Sequence, residues 1–114
     1  MAYTTRIAWE TLRSLDTASS PFSTGVYTAL GVPLAHPSYI LKLVNNSNIL
    51  VTISIDGVND VDVAPSNSFW LYDESEGNQS YPAMPQGTQI YIKSGTGAAG
   101  VGLVYLVSQY IVQN

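Results

Sequence analysis

Between residues 48 and 57 the chain reads NILVTISIDG, and its polarity alternates with a period of two. Ile49, Val51, Ile53 and Ile55 fall on one side, and Leu50, Thr52, Ser54 and Asp56 on the other, the pattern of a half-buried β-strand. The run YILKLV precedes it, and Asn45, Asn46, Ser47 and Asn48 lie between the two as a polar link, so residues 39–56 are expected to form a β-hairpin. NSFWLYD (67–73), TQIYIK (88–93) and VGLVYLVSQYIV (101–112) give further strands. In the last of these, Leu103, Val104, Tyr105, Leu106 and Val107 make both faces apolar, which suits a strand covered by core on one side and by a neighbour on the other.

The first third carries weaker signals. In RIAWETLRSL, Ile7 and Trp9 alternate with Arg6, Ala8 and Glu10, which predicts an extended N-terminal arm over residues 1–16. Such an arm would pair with a sheet edge, and a neighbouring subunit's edge is the favoured partner. GVYTALG reads as another strand, closed by Pro33 and Pro37, and DESEGNQSYPAMPQG (73–87) as a long polar loop of the kind used for contacts or as a mobile lid. Seven or eight short strands with turn signals roughly every 8 to 12 residues predict an all-β fold, an antiparallel β-sandwich, with a jelly roll as one arrangement of it. The 114 residues suffice for one domain, spanning 1–114, with a modest core.

Composition sharpens this picture in one respect. Hydrophobic residues make up 46%, but only 11% of residues are charged, against roughly 25% in an ordinary soluble protein. Surface destined to be covered by neighbours loses charge in this way, as does a β-protein coated with Ser, Thr and Asn. The net charge of −4 comes with no basic cluster, so no nucleic-acid groove is expected. No apolar run approaches the ~20 residues of a membrane span, and MAYTTRIAWE lacks the apolar centre of a secretory signal, which predicts assembly in a cytoplasm. The absence of cysteine removes disulfides, thiolate nucleophiles and zinc–thiolate sites.

Asp56, Asn59, Asp60 and Asp62 cluster closely enough to suggest calcium. An EF-hand loop, however, places glycine sixth and glutamate twelfth, whereas here Gly57 is second and Asn67 twelfth. Asp56-Gly57 after a strand is instead a turn signal, and no metal site is expected. Gly95 to Gly100 spells G-x-G-x-x-G, but the 14 residues that follow hold no room for the rest of a dinucleotide fold, so a turn between antiparallel strands is expected and no cofactor. His36, the lone histidine, is expected to be an exposed loop residue, and Asp73, Glu74 and Glu76 a solvated acidic loop rather than a glycosidase pair. No catalytic residues are assigned. The sequons at Asn45 and Asn78 are read as surface-loop markers.

The aromatic residues are the remaining candidates. With Phe69 and Leu71 facing the core, alternation turns Trp70 and Tyr72 outward as a contact patch. Ile7 and Trp9 of the arm and Tyr81 of the long loop complete the expected interface residues.

YTALGVPLAHPSYILKLVNNSNILVTISIDGVNDVDVAPSNSFWLYD, followed by PQGTQIYIKSGTGAAGVGLVYLVSQY, resembles small virion structural proteins of tailed bacteriophages. The likeness spans roughly residues 6–110 and rests on the Asn-rich link, the Ser-x-Asp-Gly turn, the Pro-Ser linker, the Tyr-Asp strand end and the Gly-Thr-x-Ile-Tyr-x-Lys strand. It implies a non-enzymatic particle component that contacts other virion proteins, among them the major capsid protein and copies of itself. A capsid cement or decoration subunit is the first expectation and a neck or tail component (adaptor, closure ring or fibre attachment) the second. From another class, a carbohydrate-binding module using Trp70, Tyr72 and the 73–87 loop is the alternative.

Overall fold

The computed structural model describes residues 5–73 and 84–113. Among the described residues, nine strands form two antiparallel sheets: β1 (Thr5–Trp9), β2 (Arg13–Asp16), β3 (Thr28–Ala29), β4 (Ile40–Ser47), β5 (Val51–Ser54), β6 (Asp62–Ala64), β7 (Ser68–Asp73), β8 (Tyr91–Ser94) and β9 (Gly102–Gln113). The first sheet has the order β1-β9-β4-β7, with β2 also pairing β9; the second runs β3-β8-β5-β6. Strands β2 to β9 thus follow the 2-9-4-7 and 3-8-5-6 order of a jelly roll. The expected all-β sandwich is what the chain forms.

Its core lies between the sheets. Leu41, Leu43, Val104 and Leu106 of the first sheet meet Val51, Ile53, Ala64 and Ile92 of the second, and Phe22, Leu30, Leu34 and Ile90 fill in from the connections. The alternation across β5 correctly marks Val51 and Ile53 as core. Ile55 is exposed, because the strand ends at Ser54 before the Asp56-Gly57 turn.

The expected hairpin over residues 39–56 does not form. β4 pairs with β7 and β9 and β5 with β6 and β8, so the chain changes sheets between them. Asn45 is the reason. It is fully buried at the end of β4, and its amide Nδ2 donates to the carbonyls of Ile49 (2.8 Å), Ala64 (2.8 Å) and Pro65 (3.1 Å). Its Oδ1 accepts from the backbone N–H (3.2 Å) and hydroxyl (2.5 Å) of Ser47. One amide thereby satisfies the backbone of the corner where the sheets meet. The turn of residues 95–100 likewise joins strands of different sheets, β8 and β9. At the start of β9, Gly102 has φ +117°, and a Cβ there would fall 2.2 Å from the Asn46 carbonyl oxygen, so only glycine lets β9 close onto β4.

Residues 5–16, expected as an arm with a neighbouring edge as favoured partner, pair with their own chain. β1 runs along Gln109–Gln113 of its own chain and β2 along Leu103–Leu106. Three residues, Glu10 to Leu12, stand opposite two, Val107 and Ser108, which is a β-bulge. The bulge reverses side-chain parity, so Ile7 and Trp9 point away from the second sheet while Arg13 and Leu15 point towards it.

Candidate interaction surface

The strand registers define the outer face of the first sheet, because residues directly opposite in an antiparallel pair share a face. Three rows cross it: Asp73–Ile40–Gln109–Trp9, Leu71–Lys42–Val107 and Phe69–Val44–Tyr105–Ser14. The Ile7–Ile111 pair extends it along β1 and β9. Phe69 (58%), Leu71 (47%), Trp9 (61%) and Ile111 (44%) keep about half their surface in solvent. Ile7, Ile40, Val44, Tyr105 and Val107 are half-buried. Apolar residues thus make up most of this face, with Lys42, Gln109, Asp73 and Ser14 set among them, and an apolar patch of this kind is a mark of an interaction site.

At the β4–β7 end this face borders a groove of ≈ 360 Å³ lined by Lys42, Val44, Asn46, Asn67, Ser68 and Phe69 among others. Lys42 makes no ion pair with any described residue, whereas Arg13 pairs with Glu10 and Lys93 with Asp60. Of the other described outer-face carboxylates, Asp73 closes β7 opposite Ile40, one row from Lys42, and Asp16 closes β2, where its Oδ1 accepts the N–H of Ala18 at 2.9 Å.

A second feature forms where the bulge meets the loop after β3. Glu10 is almost wholly buried and accepts four hydrogen bonds: from Arg13 (2.8 Å) and the Ala35 N–H (3.2 Å) at Oε1, and from the His36 N–H (2.8 Å) and ring Nδ1 (2.9 Å) at Oε2. Arg13 donates onward to the carbonyls of Val32 (2.8 Å) and Pro33 (3.0 Å). His36 is not simply an exposed loop residue, since its ring stacks on Tyr110 at 3.7 Å between centroids. Burial would push the Glu10 carboxyl up, but the hydrogen bonds from Arg13, His36 and Ala35 and the Arg13 charge outweigh it and hold the group below its ordinary range. A cleft of ≈ 540 Å³ opens here, with Trp9, Leu12 and Val32 exposed around it. Both charged groups are consumed in fastening the loop of residues 32–36 to the bulge, so they clamp structure rather than present reactive atoms.

The acidic cluster forms the expected turn, here the head of the β5–β6 hairpin. Asp56 Oδ1 accepts the N–H groups of Val58 and Asn59 and the Ser54 hydroxyl (all 2.8 Å), and Oδ2 accepts the Asn59 side-chain amide, also at 2.8 Å. Those bonds, the Asn59 N–H foremost, hold its carboxyl far below the ordinary range. Gly57 follows at φ +77°. Asp60 accepts the Tyr27 hydroxyl and pairs with Lys93 at 3.2 Å, which lowers its carboxyl; burial and the same hydrogen bond push the Tyr27 phenol far up. The Lys93 ammonium also lies 4.6 Å from the Tyr27 ring centroid.

Of the expected interface residues, Ile7 and Trp9 reach the outer face. Trp70 and Tyr72 do not: they pack on the core opposite Leu43 and Leu41, and Trp70 Nε1 donates to Asp62 Oδ2 at 2.6 Å. Phe69 and Leu71 take the outward places instead. Tyr81, Glu74, Glu76 and the Asn78 sequon lie outside the described residues, and Asn45 is buried rather than on a surface loop. The Glu10–Arg13–His36–Tyr110 cluster had no signal in sequence, because its members come from three separate segments: the bulge and the start of β2, the loop after β3, and β9. No protein-family model matches this chain, and neither does any curated protein.

Proposed function

We propose that this chain is a non-enzymatic structural subunit of a tailed-bacteriophage virion, a cement or decoration protein that binds the major capsid protein and reinforces the head after assembly in the host cytoplasm. The observation that carries this reading is the outer face of the first sheet, where apolar side chains, among them Trp9, Phe69, Leu71 and Ile111, outnumber the polar ones on a charge-poor protein. The sequence likeness to small virion proteins points the same way. Jelly rolls serve both viral capsids and lectins, so the architecture alone does not choose between them.

A neck or tail position is the second reading, and copy number separates the two: a decoration subunit covers the head many times over, whereas a neck component forms a single ring. The carbohydrate-binding alternative uses Trp70, Tyr72 and the 73–87 loop; the two side chains pack against the core, and residues 74–83 of the loop lie outside the described residues. The test uses heads assembled without this subunit. Added protein is expected to bind them saturably and to raise the temperature at which they rupture. Heads that neither bind the protein nor gain heat resistance would refute the head role.

A further inference from the structure

β1 is an edge of the first sheet: β9 pairs it on one side, and no described strand pairs it on the other. The ladder shows which backbone groups are left over. The Glu10 N–H donates to the Ser108 carbonyl at 3.0 Å, in register with the β1–β9 pairs, so the groups of every second residue back from it, Ala8 and Arg6, also face β9. The Gln109 carbonyl agrees, because it accepts the Tyr39 N–H on the far side of β9. Thr5, Ile7 and Trp9 therefore turn both N–H and C=O outward, away from the sheet. Proteins usually blunt such an edge with lysine, proline or a bulge. Here the bulge begins only at Glu10, and Thr5, Ile7 and Trp9 are uncharged.

We propose that β1 pairs antiparallel with β1 of a second copy, about a two-fold axis at Ile7, and so joins two first sheets into one. Thr5 then stands opposite Trp9 of the other copy and Ile7 opposite Ile7. Every outward residue of one strand meets an outward residue of the other, and each such pair exchanges two N–H···O bonds. Their side chains share the outer face, where the Ile111–Ile7 row runs on into Ile7 and Ile111 of the second copy. On the opposite face Arg6, the only charged residue in Thr5–Trp9 and Gln109–Gln113, stands against Ala8 and not against the other Arg6. The second copy is selected for a physical reason. A strand of another protein would need an unpaired, uncharged edge of its own, which folded proteins avoid presenting, whereas each copy of this chain carries one of matching length. The two-fold consumes β1 of both copies, so this contact closes at two. A junction of 5 residues on each side falls short of the ~800 Å² per partner of a standard interface, so the dimer dissociates on dilution.

Sedimentation of the free protein from about 10 µM to about 1 mM reads this equilibrium without any particle, and wild type should pass from monomer to dimer across that range. Ile7→Pro deletes an N–H that β9 does not use and the junction needs, so it should stay monomeric with the circular dichroism of the sandwich. Ala8→Glu and Ala8→Lys read the register. Each sets its charge against Arg6 of the other copy, and the two-fold repeats the pair, so glutamate should tighten the dimer several-fold and lysine weaken it about tenfold. Amide exchange at Ile7 and Trp9 should slow as the dimer forms. A protein that is still monomeric at about 1 mM would overturn the inference, as would a dimer in which Ala8→Glu and Ala8→Lys behave alike. A dimer that slows exchange at Ile111 instead pairs through β9, and one dissociated by Leu71→Asp but not by Ile7→Pro stacks through the apolar face; either result also overturns it. The proposed function is tested on heads and is independent of all these outcomes.

Discussion

Replacing Asn45 by alanine should remove the fastening that turns the chain from one sheet to the other. The side chain is wholly buried and makes two short amide–carbonyl bonds, to Ile49 and Ala64, besides the longer one to Pro65 and those it accepts from Ser47. A typical bond of this kind contributes about 1 kcal/mol net, and a buried carbonyl left without its donor costs a further ~1–3 kcal/mol. Asn45→Ala should therefore destabilise the fold by about 3–5 kcal/mol. At ~0.05–0.15 kcal/mol per residue a chain of this size holds about 6–17 kcal/mol in total, so the variant folds but has lost much of its margin. Asn45→Asp should be worse than alanine, because it sets a carboxylate against three carbonyl oxygens. Urea unfolding followed by the fluorescence of Trp9 and Trp70 gives the free energies, and the midpoint should fall with little change in slope. Asn46→Ala, one residue on and exposed, is the control and should stay within about 0.5 kcal/mol. A loss below about 1 kcal/mol in Asn45→Ala, or an aspartate variant as stable as wild type, would refute the account of the corner.

Ile53→Asp puts an unpaired charge at a site with no solvent exposure, and a loss above about 4 kcal/mol is expected; a folded variant with normal stability would mean that β5 is in the wrong register. Glu10 has a lowered pKa in the folded state, so its stabilising contribution is complete above its unfolded value of about 4.3 and disappears as pH falls through the folded value. Stability measured between about pH 2 and 6 should accordingly fall less steeply in Glu10→Gln than in wild type, and equal slopes would count against the clamp. Deleting residues 2–9 should leave the sandwich folded, since β2 keeps its place on β9, but amide exchange should become fast across residues 110–113, which pair only with β1. Unaltered protection there would show that β1 does not lie where the register puts it.

The parts of this fold that were legible in sequence are those where polarity alone decides. Val51 and Ile53 of β5 alternate with Thr52 and Ser54, and the long apolar run of β9 reads as a strand. Asp56-Gly57 has a backbone reason to turn. Where both parities are apolar, sequence could not choose: in Phe69-Trp70-Leu71-Tyr72 the outcome follows from pairing with Leu41 and Leu43, and from an acceptor on Asp62 for the indole. In residues 6–15 the bulge at Glu10–Leu12 breaks the period and hides two strands inside what reads as one arm. Asn45 reads as a loop residue because buried amides are rare in strands, and only the meeting of three carbonyls at one corner makes it fit.

The most direct test of the central claim is a map of the intact particle at a resolution that shows side chains. Many copies of this jelly roll are expected on the head, each with Phe69, Leu71 and Ile111 covered by a neighbouring protein. Particles that lack the chain, or copies whose outer face of the first sheet looks into solvent, would contradict it.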